Sequence, residues 1–471
     1  MPRLCGVTGL FDHLPAGLAR YRTVLALPGA GAFFAAAAVA RLGVAMTILG
    51  VLWAVRGATG SFASAGAATA AFALADATVG PQLARLVESR GQRRVLPWSS
   101  AVFALAVAGL IAAAGLRLPL PALAALAAAA GASVPPVGSL SAARWRHAVR
   151  GPDQVAAALS LEAALNDVTH LGGPVIVSGL SAAVYPAAGL TVAGGLVALG
   201  MTALIGQRRT EPPAHGHGDR PLAGRRLVDR RLLTPAVVAL FGVNLSMGFF
   251  FGAAPVAVTA FAFADHAPAL AGPIAAVSSL ASLVAGLLYG ARARRWPPAS
   301  VILVVSALLV PATAALSLAA TGPAMFAGYA LAGGAIAPIL IPSAVLLQQT
   351  TDPRVYTQAN TWMNSASAAG IAIAAPVTGL AVQAGGWRVG FVAAAALTAT
   401  LPVIAAVARR RVFAGNAFPD SGARVGRRPG YDREDGTDRG RPVRGAGDAA
   451  VESRTAGGRR AVPGARRPAR D

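Results

Sequence analysis

The sequence predicts an all-α integral membrane protein with twelve transmembrane helices, arranged as two six-helix halves related by a pseudo-two-fold axis. Three observations support this fold class. Of the 471 residues, 55% are hydrophobic and only 13% are charged, whereas about 25% of residues in a soluble domain are charged. The apolar residues stand in long blocks, and a helix that crosses a bilayer needs about 20 of them. A polar, Arg-rich stretch divides these blocks into two equal sets.

Charges and Pro or Gly turns bound the apolar blocks and set the predicted spans. In order, these are residues 30–54, 62–84, 97–115, 120–143, 156–182, 185–206, 235–262, 268–290, 300–319, 323–347, 357–383 and 387–408. The same boundaries define five regions: a cytoplasmic N-terminal segment (1–29), an N-terminal half (30–206), a cytoplasmic central loop (207–234), a C-terminal half (235–408) and a basic cytoplasmic tail (409–471).

The distribution of Arg fixes the predicted orientation. With both termini in the cytoplasm, the inner loops between the predicted spans hold eighteen Arg residues and the outer loops hold three. Positive residues concentrate on the cytoplasmic side of membrane proteins. A miscount of one helix would scramble this alternation, so the count and the orientation support each other. We therefore expect a multi-pass protein of the plasma membrane whose partners are the lipid bilayer and a small-molecule substrate, and which is a monomer.

Several function classes are excluded or disfavoured by composition. The chain has no Lys, so the G-x-x-x-x-G-K-[ST] phosphate loop of ATP-driven pumps cannot form. Cys5 is the single cysteine, which leaves no disulfide or Cys-x-x-Cys metal site, and the pair His215 and His217 lacks further ligands nearby. The sequence offers no H-E-x-x-H or suitably placed G-x-S-x-G pattern. We expect neither an enzyme nor a bound metal or cofactor.

The net charge of +22 does not indicate a nucleic-acid-binding protein, because the charges lie in loops and in the tail. Residues 409–471 contain sixteen Arg and eight acidic residues. Such a segment cannot bury enough apolar surface to fold, so we expect it to be disordered. Its basic stretches could rest on anionic lipid headgroups, or it could have no specific role.

An internal repeat is visible at a shift of 202 residues. At this shift AAGASVPPVGSLSA (129–142) lies over LAGGAIAPILIPSA (331–344), and Arg93 lies over Arg295. Transporters are often built from two related halves. The repeat therefore favours a duplicated architecture of six plus six helices.

The charged loop between the second and third predicted helices reads ARLVESRGQRRVL over residues 84–96. A tight turn favours Gly91, and the Arg residues hold the loop in the cytoplasm. Together with twelve spans and a cytoplasmic central loop, it resembles the major facilitator superfamily, whose signature in this loop is roughly G-x-L-a-D-r-x-G-r-r. Gly91 and Arg93 match the signature and Glu88 replaces its acid. Ala84 and Ser89 depart from it.

The resemblance implies that Glu88, Gly91, Arg93 and Arg94 form a latch between the two halves, made in one state and broken in another. The alternative is that these residues are only solvated charges on the cytoplasmic side. A second stretch, Gly172, Gly173 and Pro174 in predicted helix 5, resembles in part the Gly-Pro motif of the drug–proton antiporters. Small residues also let helices approach closely and Pro kinks them, so a plain packing role is open too.

Ionisable residues at membrane depth are the sharpest candidates for function. Arg41 lies about eleven residues into predicted helix 1 and Asp167 about eleven residues into predicted helix 5. Because these helices run in the same direction and are neighbours in the resembled fold, we expect an Arg41–Asp167 pair. Asp167, His170 and Pro174 form one stripe of helix 5, whereas Glu162 lies closer to the cytoplasm on a different face.

An Asp beside a His at membrane depth could carry a proton, because burial favours the neutral form of a carboxyl group. Pairing with Arg41 would favour the charged form, and a static pair that only neutralises two charges is the alternative. Asp76 of helix 2 is a further candidate without an evident partner. Asn244 and Asn364 are the main polar groups of the second half, and they could contact substrate or bond between helices.

We therefore expect a secondary active transporter that works by alternating access, with the proton gradient as its coupling and no cofactor. The predicted cavity is apolar and weakly featured, which favours proton-coupled export of small hydrophobic or cationic compounds. The alternatives are an uptake carrier of the same fold and a non-transporting membrane sensor or scaffold that acts through its basic tail.

Overall fold

A computed structural model describes residues 16–211, 234–292, 296–351 and 356–410. The predicted tail, most of the central loop with His215 and His217, and the side chain of Glu88 lie outside the described residues. The described part of the chain is helical throughout and contains no β-strand.

Fifteen α-helices account for the described residues. They are α1 (Ala16–Leu25), α2 (Ala30–Thr59), α3 (Phe62–Arg90), α4 (Gln92–Gly115), α5 (Leu120–Ala132), α6 (Val137–Ala148), α7 (Pro152–Ala183), α8 (Ala188–Gly206), α9 (Pro235–Ala264), α10 (Ala271–Arg292), α11 (Pro298–Ala315), α12 (Gly322–Gly333), α13 (Ile336–Thr350), α14 (Tyr356–Thr398) and α15 (Thr400–Ala408). We call α2–α8 the N-terminal group and α9–α15 the C-terminal group.

Ten segments of the described chain are long and apolar enough to cross a membrane. The sequence predicts twelve, and the difference arises at two places. One is α7, a continuous helix of 32 residues that is not among the ten, because polar residues such as Glu162 and Asn166 interrupt its apolar sequence. Residues Ala359–Ala408 count as one segment of 50 residues, although the backbone leaves helical geometry at Gly385 and Gly386.

Local sequence explains where the long helices end. Gly91 separates α3 from α4 with φ of 86°, a left-handed value that glycine adopts without a steric penalty. The Ser61 hydroxyl caps α3 by accepting a hydrogen bond from the Ser64 amide, which satisfies one free donor of the first turn. Gly386 has φ of 74°, and it lies between the predicted spans 357–383 and 387–408.

Besides Ala359–Ala408, which contains most of α14 and all of α15, two of the ten segments are each made of two helices. Between α5 and α6 the chain passes through Ser133–Pro136, and between α12 and α13 it passes through Gly334 and Ala335. The last residues of α5 and α12, Ala132 and Gly333, lie 201 residues apart in sequence. The breaks therefore recur at nearly the same spacing as the predicted repeat.

Helix packing recurs at the same spacing. A Cβ atom at Gly131 would overlap the Phe72 carbonyl oxygen of α3, and one at Gly333 would overlap the Ser278 carbonyl oxygen of α10. Such close backbone approach is typical of small residues at interfaces between membrane helices. In addition, α2 packs on α8 where Gly200 meets Ala40, and α9 packs on α15 where Gly242 meets Ile404.

The close approach at Gly131 gives a stability prediction. We expect Gly131→Ala to lower the free energy of unfolding by about 1–3 kcal/mol, because the new methyl group must push α3 away. Gly195→Ala is the matched control, since no other heavy atom lies within 4 Å of a Cβ there, and it should leave stability unchanged or raise it by up to about 1 kcal/mol. Thermal unfolding in detergent measures both, and equal effects would contradict the packing at Gly131.

Candidate functional site

A cavity of about 770 Å³ lies between the N-terminal and C-terminal groups. Helices α2, α3, α6 and α7 line it from one group, and α9, α10 and α14 line it from the other. This volume is within the range of small-molecule sites. The charged side chains in its wall are Arg41 of α2 and Asp76 of α3, with His170 of α7 as a further titratable group.

Arg41 is compensated by Glu162 of α7. Arg41 Nη2 donates a hydrogen bond to Glu162 Oε2 and a second, of 3.4 Å, to the Gly138 carbonyl. The same carboxylate accepts from the Ser141 hydroxyl and, at 2.8 Å, from Trp145 Nε1. The side chains of Arg41 and Glu162 are each only 13% exposed. Three helices thus contribute to one nearly buried polar cluster, which we call the Glu162 cluster.

The prediction that Arg41 pairs with Asp167 is wrong. The physical reason is that α7 begins at Pro152, one turn before the predicted start at residue 156. Arg41 lies eleven residues beyond the first residue of α2 and Glu162 lies ten beyond the first residue of α7. At 1.5 Å per residue these two positions have similar depth, whereas Asp167 is exposed and does not line the cavity.

Two residues of the predicted stripe of α7, His170 and Pro174, line the cavity, whereas Asn166 takes the place predicted for Asp167. Asn166, His170 and Pro174 line the cavity, and with Glu162 they follow a spacing of four residues. Asn166 is therefore the residue that the sequence analysis missed, and the Glu162 spacing was the signal for it. His170 Nδ1 lies 2.8 Å from the Asn166 carbonyl oxygen. A carbonyl only accepts, so Nδ1–H is the donor of this contact and Nε2 of the neutral ring can accept a hydrogen bond.

Asp76, the predicted intramembrane candidate without an evident partner, stands in the cavity wall. It is partly buried, and neither a hydrogen bond nor an ion pair joins it to another described residue. Its neighbours along the cavity-facing stripe of α3 are Thr69, Phe72 and Gly80. It follows that Asp76 carries the uncompensated charge of this wall, within the described residues.

The C-terminal group contributes an almost wholly apolar wall. Phe251, Pro255 and Val256 of α9 and Ile371 of α14 are typical of it, and Thr259 is the polar member. Asn244 and Asn364 do not line the cavity, so it gives no support to substrate contact, the first of the two roles predicted for them. Asn244 is buried and donates to the Leu240 carbonyl of its own helix, and Asn364 is exposed elsewhere on α14.

The cavity is closed at the end of the bundle where α2 ends and α3 begins, which we call the α2–α3 end. The Phe263 ring of α9 packs against Trp53 with centroids 5.1 Å apart and against Phe62 with centroids 6.0 Å apart. The Arg56 guanidinium lies 4.8 Å from the Phe62 centroid and 5.2 Å from the Phe263 centroid, within cation–π range. We call Trp53, Arg56, Phe62 and Phe263 the end cluster.

Close backbone contacts seal the same end. Gly66 and Gly379 bring α3 and α14 together, since a Cβ atom on either would overlap a carbonyl oxygen of the other helix. Gly272 of α10 approaches the Pro174 carbonyl of α7 in the same way. The Ser61 hydroxyl also donates to Gln383 Oε1 over 3.1 Å. The two groups of helices therefore meet by direct packing at this end.

The Arg residues at the opposite end do more than the sequence predicts. Arg144, one of the eighteen Arg residues assigned to the inner loops, is 1% exposed. It donates to the Gln92 side chain, to the Thr210 hydroxyl, to the Leu204 carbonyl in the last turn of α8 and to the Gln207 carbonyl just after that helix. Gln92 was not singled out in the sequence. A buried Arg needs all these acceptors because an unpaired buried charge is strongly unfavourable.

The predicted latch residues have mixed surroundings. Gly91 forms the turn, and Arg94 is exposed. Arg93 Nε lies 3.8 Å from Glu211 Oε2, just after α8, so this pair connects two parts of the N-terminal side of the chain. A role as a latch between the halves stays a prediction.

The predicted Gly-Pro motif of α7 has a packing role at two of its three positions. A Cβ atom at Gly173 would touch Ala45 and Met46 of α2 at 3.5–3.6 Å, and Pro174 lines the cavity and meets Gly272. No other heavy atom lies within 4 Å of a Cβ at Gly172. Among the described residues, no group of three His, Cys, Asp or Glu side chains could hold a metal ion.

The Glu162 cluster gives a double-mutant prediction. Arg41→Gln or Glu162→Gln alone leaves one charge unpaired in a nearly buried site, so each should lower the free energy of unfolding by up to about 3–5 kcal/mol. The double variant Arg41→Gln/Glu162→Gln should recover most of that loss, while Asp167→Asn changes stability by less than about 0.5 kcal/mol. Thermal unfolding of the four variants in detergent measures this. A double variant whose loss equals the sum of the single losses would contradict the pairing.

Comparison with solved structures places the fold among membrane transporters. A variant of the nucleoside transporter NupG aligns with a TM-score of 0.62 and 14% identity, covering 79% of this chain and 99% of that one. A bacterial homologue of the human lysosomal transporter Spinster, inward-facing and occupied, aligns with a TM-score of 0.60 and 17% identity, covering 85% of this chain and 99% of that one. A bacterial homologue of the iron transporter ferroportin, inward-facing, aligns with a TM-score of 0.61 and 14% identity, covering 83% of this chain and 98% of that one.

Sequence comparison gives no significant match among curated proteins. The family model described as Major Facilitator Superfamily, however, matches residues 33–329 and again residues 259–430. These two overlapping matches extend over most of the chain and include every helix that lines the cavity. The chain therefore belongs to the Major Facilitator Superfamily of membrane transporters.

Proposed function

We propose that this chain is a twelve-span secondary active transporter that exports small hydrophobic or cationic compounds from the cell in exchange for protons, by alternating access. The observation that carries the proposal is the cavity between the two groups of helices, which is closed at the α2–α3 end and has charged groups in its wall on one side. A cavity of this kind can hold a solute while one end opens and the other closes.

The proposed twelve spans consist of the ten apolar segments, with α7 added and the last segment divided at Gly385 and Gly386. The recurrence near 202 residues supports two six-helix halves, because both the helix breaks and the close contacts at Gly131 and Gly333 recur at that spacing. On this account the N-terminal and C-terminal groups are the two halves.

The excess of Arg in loops on the side opposite the α2–α3 end supports an orientation in which that end faces outward. Both termini then lie in the cytoplasm of a plasma-membrane protein, and the structure corresponds to a state closed to the outside.

Proton coupling is assigned to the Glu162 cluster. When Glu162 is ionised, it holds Arg41 against α7 and α6. A proton on Glu162 removes the negative charge that compensates Arg41, so the guanidinium must find another acceptor and the packing of α2 against α7 changes. A proton can therefore shift the equilibrium between two arrangements of these helices, as a coupled transporter requires.

The apolar C-terminal wall supports the choice of substrate. Phe251, Pro255, Val256 and Ile371 offer a surface without hydrogen-bonding groups, which suits compounds with a large apolar body. The neighbours named as nucleoside, lysosomal and iron transporters share the fold at low identity, and their substrates are not carried over to this chain.

Export can be tested in an efflux-deficient host. Cells that produce the chain should accumulate less of a fluorescent hydrophobic dye than control cells, and a protonophore should abolish the difference. Arg41→Gln/Glu162→Gln should lose the protonophore-sensitive difference in dye accumulation, because the coupling pair is absent. Asp167→Asn should behave as the parent chain. Higher dye accumulation than in control cells would indicate uptake, and no change in dye content or in tolerance across a panel of toxic compounds would contradict drug export.

Alternating access predicts a defined role for the end cluster. In a Cys5→Ser background, a cysteine introduced by Val44→Cys in the cavity wall should react slowly with an impermeant maleimide added outside intact cells. Phe263→Ala removes ring contacts to Trp53 and Phe62, so it should raise the outside labelling several-fold.

Phe249→Ala is the matched control for this experiment. Phe249 lies on the same helix but packs against residues of the C-terminal group, among them Ala253 and Ala374. Its removal should leave the labelling rate unchanged. Rapid outside labelling of the Val44→Cys variant while the end cluster is intact would contradict an outer closure at this position. Equal effects of the two Phe variants on the labelling rate would contradict it too.

A further inference from the structure

The hydroxyl groups of the cavity wall all use their single proton within the protein. Four hydroxyl-bearing residues line the cavity, and each donates a hydrogen bond to a backbone carbonyl three or four residues earlier in its own chain segment. The bonds are Thr69 to Ala65 (2.9 Å), Ser139 to Pro136 (2.9 Å), Thr169 to Asn166 (2.8 Å) and Thr259 to Pro255 (2.7 Å). A hydroxyl that has donated its proton keeps only lone pairs, so these groups can offer a ligand acceptors and no donors.

The imidazole of His170 behaves in the same way. Its Nδ1 proton is used on the Asn166 carbonyl at 2.8 Å, which leaves Nε2 of the neutral ring as an acceptor. Asp76 adds a carboxylate, which accepts hydrogen bonds through both oxygens. The wall is therefore rich in acceptors, and among the residues named here all except Thr259 belong to the N-terminal group.

Donors are few, and Arg41, whose guanidinium carries five N–H groups, is only partly engaged. Arg41 Nη2 is held by Glu162 and Gly138, and Arg41 Nε is buried without a hydrogen-bond partner among the described residues. The Asn166 amide is the other donor of the described wall. Because Glu162 compensates the charge of Arg41, Asp76 leaves the cavity region with one net negative charge when His170 is neutral.

We infer that this cavity selects organic monocations that carry N–H donors, such as guanidinium or protonated amine compounds, and that Asp76 is the residue that pairs with the cation. A carboxylate and a guanidinium match in geometry as well as in charge. The surrounding acceptors can take the remaining N–H groups, and the apolar wall with Phe72 and Phe251 can hold the body of the compound. This inference rests on the proposed function, since it assumes that the cavity is the substrate site.

Three dansyl probes with the same pentyl linker and different end groups separate the effect of charge from the effect of hydrogen bonding. The first ends in a guanidinium, the second in a trimethylammonium and the third in a carboxylate. The first two carry the same charge, but only the guanidinium has N–H donors. Fluorescence titration of the purified full-length chain in lipid nanodiscs should give a Kd for the guanidinium probe at least about tenfold lower than for the trimethylammonium probe, and no saturable binding of the carboxylate.

The variants at Asp76 test the named residue. Asp76→Asn should weaken binding of the guanidinium probe at least about tenfold, whereas Asp76→Glu should keep the preference for guanidinium over trimethylammonium. Asp167→Asn is the matched control, because this carboxylate lies outside the cavity, and its Kd should equal that of the parent chain. Thermal unfolding of each variant shows whether a loss of binding reflects a loss of fold.

The outcomes separate this inference from the proposed function. Equal affinity for the two cationic probes, tighter binding of the carboxylate, binding of no probe or an unchanged Kd in folded Asp76→Asn would each overturn the inference, whether or not the chain moves dye in cells. Selective binding of the guanidinium probe by a chain that moves no compound in cells would support the inference and contradict the export function.

Discussion

A guanidinium group inside a membrane-spanning helix is the constraint on which the rest of the site depends. A charge in the hydrocarbon region is unfavourable unless a partner compensates it, and Arg41 of α2 finds that partner in Glu162 of α7. The carboxylate is then completed by Ser141 and Trp145 of α6. One ion pair thus holds three helices in register along one wall of the cavity, and any change in its protonation acts on all three.

Compensation of Arg41 has a second consequence for the cavity. It leaves the charge of Asp76 without a partner among the described residues. The hydroxyl groups of the same cavity all donate their protons to backbone carbonyl oxygens. The opposite wall, from α9 and α14, is apolar. The chemistry of the cavity is therefore asymmetric: one helix group supplies charge and hydrogen-bond acceptors, while the other supplies apolar surface and, through Phe263, the closure against Trp53 and Phe62.

The sequence predicts the positions of the helices well because apolar runs and Gly or Pro turns are local signals. The turn at Gly91 and the break at Gly386 follow from them. The partner of Arg41 could not be predicted in the same way, because a helix start displaced by one turn, at Pro152 instead of residue 156, exchanges Asp167 for Glu162. The burial of Arg144 depends on the neighbouring helices, which a count of loop charges does not include. The hydrogen bond from the Thr259 hydroxyl to the Pro255 carbonyl depends on a side-chain rotamer, which a count of polar residues does not include.

The exchange of a cation for protons can be measured in a reconstituted membrane. Proteoliposomes with an acidic interior and a guanidinium-terminated dansyl probe outside exclude passive entry as a neutral base, because guanidinium stays protonated. We expect the probe to accumulate inside the vesicles and a protonophore to prevent this. Both Asp76→Asn and Arg41→Gln/Glu162→Gln should abolish accumulation driven by the gradient. Accumulation that is unaffected by the protonophore, or that persists in Asp76→Asn, would contradict the account.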